Sequence, residues 1–535
     1  GGNPMQIERL PKDKLDVINN SNGLTLYLNN LLKGRAATPR SWLYESESDT
    51  EVLRKWMSIL ETIRDTPRGE EVYQFDTSQL KKWGPQGEVA PIKELMDLVT
   101  EGFSRVPVSP PAIFKSPEWI AAKQMAVKKL TAVTGYHALT PRSYAKVLDD
   151  MSSRDTLESN SGWPLFTRRH KPEVIEASLQ DIKSGAYKEY PAIVLFRNYN
   201  QKTRPVWMYP LSTNIVEGSF TQPLKEAIMR SNIEFFAPWR GYDHVLEQIT
   251  GLYDAGAFLA ASDFSHTDAH FTKWTMLEVY DVIRHCFQEK YWDALKDSML
   301  RVTSIPLIIG PDKWITGDHG VSSGSNWTND CETYLDLIAE CYFIIRSIIT
   351  KLGNAIGDDV LHALERYNPD FAAVISELYG LMDFDVNEEK VTNFRHKLKY
   401  LQRLVIRGYR RSDSDDAKLV YGPKADSRYL HTLRGIYSTI RALNSSLHPE
   451  KFHPPKLWNY DKFASRQTMI CENCVDHPLF VKWCKFVAAG NSKLVDWARQ
   501  KDAHLNDVFR QSRLVPGLNP TYNQEKRNKP LSEFA

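Results

Sequence analysis

The chain of 535 residues carries 68 Lys and Arg against 66 Asp and Glu, a formal net charge of +2. That length is too great for one compact core and predicts several subdomains. The near balance of charge excludes a wholly basic, histone-like binder, so any nucleic acid must meet positive charge gathered in a channel and offset elsewhere. Six cysteines without regular pairing, and no leader-like start, predict a reducing compartment. No apolar run reaches membrane-spanning length, so no membrane association is expected.

From Met5 to about Pro110, polar helical runs alternate with breakers. Leu53–Ile63 has the spacing of an amphipathic helix and Ile92–Leu98 of a shorter one; neither carries chemistry. Helical patterning continues from Pro111 to about Asp155. Asn160-Ser161-Gly162-Trp163-Pro164 then reads as a rigid turn, and Arg168-Arg169-His170-Lys171 as a charged surface run. In Ile193–Trp207, two apolar stretches flank a basic, turn-rich centre holding Arg197, Lys202 and Arg204. The cations therefore sit where two strands meet, and arginine's planar fork suits phosphate oxygens.

Leu259–Asp263 reads as a short buried strand ending in an acid, with Asp268 five residues further on. A helix is expected over Trp274–Phe287. Gly320–Thr328 is a small-residue loop entering a helix whose apolar positions run from Tyr334 to Leu352. A helix entry preceded by glycine offers free N–H groups to an anionic ligand. Gly357-Asp358-Asp359 places adjacent carboxylates at a tight hairpin tip, where both can face a hard divalent cation. Such a pair needs a third acid, and Asp263 supplies it.

Phe371–Leu381 is a helix, and Lys399–Arg407 alternates like one strand, close to the cations Arg403, Arg407, Arg410 and Arg411. Beyond Asp413 the pattern is helical and aromatic-rich. Cys471, Cys474, His477 and Cys484 suggest zinc by type, but their spacing is irregular and buried thiols are equally ordinary. The tail Gly517–Ala535 is polar; the sequence leaves open whether it is loosely ordered or crosses a cleft.

In their order, the acid strand, the glycine loop with its helix and the acid pair resemble motifs A, B and C of viral RNA-dependent RNA polymerases, closest to those of picobirnaviruses and the related partitiviruses. The resemblance implies an α/β (α+β), mostly helical right hand of fingers, palm and thumb closed by an N-terminal arm. Its divisions would be an arm over 1–110, fingers over 111–255, a palm over 256–410 with a fingers insertion near 288–318, and a thumb and tail over 411–535. It implies Mg²⁺, with Mn²⁺ as a substitute, on Asp263, Asp358 and Asp359, and Lys390 as the general acid of motif D. Arg197, Lys202 and Arg204 would meet the triphosphate, and Ser323, Gly324 and Thr328 would seat the nascent base pair. Ser161, Gly162 and Pro164 would guide template, and Arg403 and Arg407 would hold the nascent strand.

The chain departs from the family pattern at Glu332, the ninth residue after Ser323, where an Asn is common. An ionised Glu only accepts hydrogen bonds, so Glu332 and Asp268 would share a proton or a water, or else Glu332 points to solvent. The implied partners are template and nascent RNA, nucleoside triphosphates and viral capsid protein, in the virion interior or host cytoplasm. A reverse transcriptase and a non-catalytic RNA-binding capsid or scaffold protein are the alternatives. Gly-Asp-Asp and Asp268 speak against the first, and the intact acid triad against the second.

Overall fold

The computed structural model describes residues 3–154, 157, 159–265, 267–450, 458–513 and 530–534. One five-stranded sheet runs in the order β1 (Gln6–Arg9), β6 (Lys313–Thr316), β5 (Leu307–Ile308), β2 (Ala192–Tyr199), β3 (Lys202–Met208). β2 and β3 form a hairpin that sets Arg197 opposite Arg204. Its turn residues Asn200 and Gln201 both take positive φ, the geometry that matches the twist of paired strands. The 288–318 segment thus contributes two strands to the sheet of the basic hairpin.

The second sheet runs β10 (Thr392–Asn393), β4 (Phe258–Ser265), β8 (Asp359–Leu364), β7 (Lys351–Ile356), with β9 (Asp385–Val386) pairing the end of β4. β4 continues two residues beyond Asp263, where Phe264 and Ser265 pair β9. Behind this sheet packs helix α2 (Asn326–Ile345), and helix α1 (Leu211–Arg230) packs in turn on α2. α2 is buried nearly all round; Trp327 at its start is fully buried and donates its indole N–H to Ser298 Oγ at 3.0 Å. The helix ends earlier than its apolar pattern suggests. Ser347 takes φ 58, the chain reverses, and Leu352 lies in β7.

The third sheet is β11 (Lys397–Tyr400), β12 (Arg403–Ile406), β13 (Ile436–Tyr437). The single strand expected over 399–407 is therefore a hairpin, turned by Leu401 and Gln402 at φ 50 and 66. Beside it lie helix α3 (Thr439–Leu447) and the C-terminal helices Tyr460–Glu472 and Phe480–Ala489. Residues 514–529 of the tail lie outside the described residues. Its last turn, Pro530–Glu533, docks by burying Leu531 and Phe534, the latter against Phe480.

The N-terminal residues touch both ends of the molecule. β1 extends the first sheet, and Tyr27 and Arg35 donate to carbonyls of β2. Helix Asp49–Leu60, begun earlier than its apolar spacing because Ser48 caps it, seats Trp56 on Trp483. The Trp56 indole donates to Thr439 Oγ1. Helix Ile92–Ser104 outruns its expected end, and Lys273–Ile283 gives way to a 3-10 turn before Phe287.

Candidate active site

The β4/β8 register places Asp263 directly opposite Asp359, and the β7/β8 turn adds Asp358. One oxygen from each acid lies within 4.8 Å of the others. Gly357 takes φ 58 at that turn, and its N–H donates to Thr333 Oγ1 of α2 at 2.9 Å, which ties the acid pair to the helix behind it. Burial, then Asp359, Asp263 and a hydrogen bond with Asp263, raise Asp358 far above the carboxylate range. Burial and Asp263 raise Asp359. Burial also raises Asp263, against the opposing pull of the Asp358 hydrogen bond and of Lys390, Arg204 and Lys82. Three crowded carboxylates of this kind form an all-oxygen donor set suited to a hard divalent cation. Behind them a buried chain braces β4: Ser262 Oγ to His362 Nε2 at 2.8 Å, and His362 Nδ1 to Glu340 at 2.9 Å.

The glycine loop is fixed from two sides. A Cβ on Gly324 would stand 1.7 Å from the Trp207 carbonyl oxygen, so only glycine lets the loop lie on β3. From α1, Glu217 accepts from Ser325 Oγ and, at 3.0 Å, from Asn326 N, the first N–H of α2. Asn214 Nδ2 donates to the same carboxylate, and Arg169 donates to Asn214 Oδ1 at 2.6 Å. Burial pushes Glu217 up to about 7 despite these donors. Nothing in the sequence marks Glu217, because its loop partners Ser325 and Asn326 lie more than a hundred residues away. Ser323 is the exposed apex of the loop.

Glu332 is buried rather than pointing to solvent. It shares a hydrogen bond with Asp268, and burial together with Asp268 and Asp358 raises it well above the usual range. Burial raises Asp268 as well. Burial and the neighbouring carboxyl thus favour the protonated form more strongly at Glu332 than at Asp268. Across the cleft, the side chains of Lys202 and Arg204 are exposed and form no hydrogen bond or ion pair among the described residues, Arg204 lying 6.0 Å from the centre of the Tyr199 ring. Arg197 pairs with Glu450 at 2.6 Å. Lys390 is exposed at the end of a short 3-10 turn and acts electrostatically on Asp263.

Residues 199–415, which hold Asp263, Asp268, Glu332, Asp358, Asp359 and the glycine loop, match the family model of viral RNA-dependent RNA polymerase. Through those residues the chain has the RNA-dependent RNA polymerase domain of viruses. Its likeness to picobirnavirus proteins covers nearly the whole length. A potential RNA-dependent RNA polymerase of human picobirnavirus is 25% identical over 504 residues, 88% of this chain and 85% of the relative. A crystal structure of the RNA-dependent RNA polymerase of a human picobirnavirus superposes with TM-score 0.78 at 20% identity, covering 98% of each chain. The insertion-loop deletion mutant of such an enzyme gives 0.77 at 21%, over 96% of this chain and 99% of that one. The mostly helical right-hand fold expected from the motifs is the fold of the molecule.

Several residues of this polymerase stand elsewhere than their motifs suggested. Ser161 is buried and its Oγ accepts from Thr167 N, while a Cβ on Gly162 would meet the Tyr209 carbonyl at 2.6 Å. Neither offers a surface to template; within that turn Pro164 is the part-exposed member of the three. Thr328 is buried, and its hydroxyl donates to the Ser322 carbonyl, so it fixes the loop instead of meeting nucleotide.

Arg403 is buried, stacked 4.5 Å from the Tyr242 ring centre, and donates to Leu401 O and Asn473 Oδ1. Arg407 donates to Tyr253 O and Ala257 O. These guanidiniums are bonded within the chain itself, which favours a structural role over a phosphate contact. His477 uses both ring nitrogens, on Asp76 and on Leu479 N.

Proposed function

We propose that Asp263, Asp358 and Asp359 hold two Mg²⁺ ions, or Mn²⁺ in their place, and that the cleft joins nucleoside triphosphates to an RNA 3′ end. The observation that carries this reading is a crowded acid trio near Arg204 and Lys390, with Lys202 and Arg204 making no side-chain hydrogen bond or ion pair among the described residues. Bound there, the ions would activate the 3′-hydroxyl and offset charge on the leaving oxygen.

The chain's own residues do the rest. Lys202 and Arg204 bind the triphosphate, and Lys390 gives a proton to the departing pyrophosphate. Arg197, paired with Glu450, contributes only when that ion pair opens. Asp268 accepts from the ribose 2′-hydroxyl while protonated Glu332 donates to Asp268 and holds it in place. Ser323 and Gly324 set the floor on which the new base pair rests, and Thr328 and Glu217 keep that floor rigid.

The likeness to enzymes of a double-stranded RNA virus supports a working place in the virion interior and host cytoplasm, beside viral capsid protein. Among the described residues no helix is long and apolar enough to cross a membrane. The deciding experiment is nucleotide incorporation on an RNA template by Asp358→Asn. A neutral amide cannot hold the ion, so the variant keeps its fold and RNA affinity and loses at least about 10³-fold in rate. Incorporation equal to the wild type would refute the assignment.

A further inference from the structure

Segment 82–89 of the N-terminal arm is clamped between the basic hairpin and α3. On the α3 side, Gly84 N donates to Asn444 Oδ1 at 2.9 Å and Asn444 Nδ2 donates to Lys82 O at 3.4 Å. On the hairpin side, Gln201 Nε2 donates to Trp83 O, and Asn198 Nδ2 donates to Gly87 O and Glu88 O at 2.9 and 3.0 Å. Thr203 holds Asn198 in turn, its hydroxyl 2.6 Å from Asn198 Oδ1. The two walls also meet directly, where Arg441 of α3 donates to the Tyr199 hydroxyl of β2.

A backbone held at both ends fixes where the side chain of Lys82 begins. That side chain is half-buried and forms no hydrogen bond or ion pair among the described residues. Its ammonium acts electrostatically on Asp263, as do the Arg204 guanidinium and the Lys390 ammonium. Burial, then Arg441, Lys81, Lys202 and Lys390, press it down to about 8. Every charged group in that set is a cation, so the cluster holds like charges together at a cost that an arriving polyanion would relieve.

Resting on the reading of the cleft given above, we propose that Lys82 is a triphosphate-binding residue delivered by the N-terminal arm, which takes the phosphate end of the incoming nucleotide jointly with Lys202 and Arg204. Lysine suits this place because it is a compact charge that can follow the phosphate as pyrophosphate departs. Phosphate could also reach it as RNA backbone, and the test separates the two sources.

Single-nucleotide extension of a primed RNA by the full chain is measured for wild type, Lys82→Ala, Lys82→Arg and Asn444→Ala, with thermal melting of each. Lys82→Ala is expected to raise the apparent KM for nucleotide roughly tenfold and weaken product inhibition by pyrophosphate in parallel. Its RNA affinity and melting should match the wild type, and Lys82→Arg should recover most of the loss. Asn444→Ala, which unclamps the segment, should lower the melting temperature, an effect absent from Lys82→Ala. Unchanged KM and pyrophosphate inhibition in Lys82→Ala would overturn the inference, as would a loss confined to RNA affinity. Asp358→Asn run alongside separates the two readings: active Asp358→Asn refutes the cleft itself, whereas inactive Asp358→Asn with unaltered Lys82→Ala refutes Lys82 alone.

Discussion

The cleft and the junction behind it use the same residue types in opposite electrostatic states. Where the N-terminal arm meets the C-terminal helices, Asp76 and Asp476 are buried yet lie below the usual carboxylate range. Burial opposes this at Asp76, and hydrogen bonds from His477, Ile440 N and Thr439 outweigh it. At Asp476 burial is outweighed by the Arg411 guanidinium, Gly435 N and Tyr421. In the cleft, burial and mutual repulsion hold Asp358 and Asp359 above that range. The cations divide the same way. The side chains of Arg403, Arg407, Arg410 and Arg411 are hydrogen-bonded or ion-paired within the chain, while those of Lys202 and Arg204 have neither among the described residues. Paired buried charge builds the scaffold; charge left uncompensated marks where ligands enter.

The sharpest way to break this contrast is to remove one cation from each side. Arg204→Ala should lower kcat/KM for nucleotide roughly tenfold to a hundredfold with melting unchanged, since a charge-assisted phosphate contact acts in both ground and transition states. An unchanged nucleotide dependence would move Arg204 out of the triphosphate site. Arg403→Ala should instead destabilise the fold by about 2–4 kcal/mol, because it strips two acceptors and two aromatic faces of a buried partner. Its RNA affinity should keep the wild-type salt dependence. A slope reduced by about one would return Arg403 to the RNA path.

Within the cleft, the Asp268–Glu332 pair gives a smaller effect with a distinctive pattern. Asp268→Ala should cut the ratio of ribo- to deoxyribonucleotide incorporation about tenfold. Glu332→Gln should preserve the ratio, since an amide also donates, and Glu332→Ala should fall between. Equal ratios in all three variants would remove the pair from sugar selection.

The least effect is expected at the junction. Asp76→Asn should lower stability by about 1–2 kcal/mol at neutral pH. The folded pKa of Asp76 is depressed, so its contribution is fully present above the unfolded value and fades as pH falls through the folded one. The gap between variant and wild type in thermal melts should therefore narrow below about pH 4. A gap independent of pH would show that Asp76 acts by shape alone.

These fates were unequally legible in the sequence. Asp358 and Asp359 could be read because a glycine turn and two flanking strands are local, and Asp263 because an acid at the end of an apolar run is unusual. Gly324 was visible as a glycine, but its reason, the Trp207 carbonyl, is a contact across the fold. Arg403 and Arg407 looked like phosphate ligands because their acceptors on Asn473, Tyr253 and Ala257 lie 70 to 154 residues away. The hairpin of 397–406 hid inside one alternating pattern, since both arms carry the same period and only the φ of Leu401 and Gln402 divides them.

The central claim, that uncompensated acids in the cleft form a divalent-cation site, is tested most directly by titrating the full chain with Mn²⁺ and following the free ion by electron paramagnetic resonance. The account predicts saturable binding by wild type and at least about tenfold weaker binding by Asp358→Asn, with Arg403→Ala unaltered. Equal Mn²⁺ affinity in wild type and Asp358→Asn would contradict it.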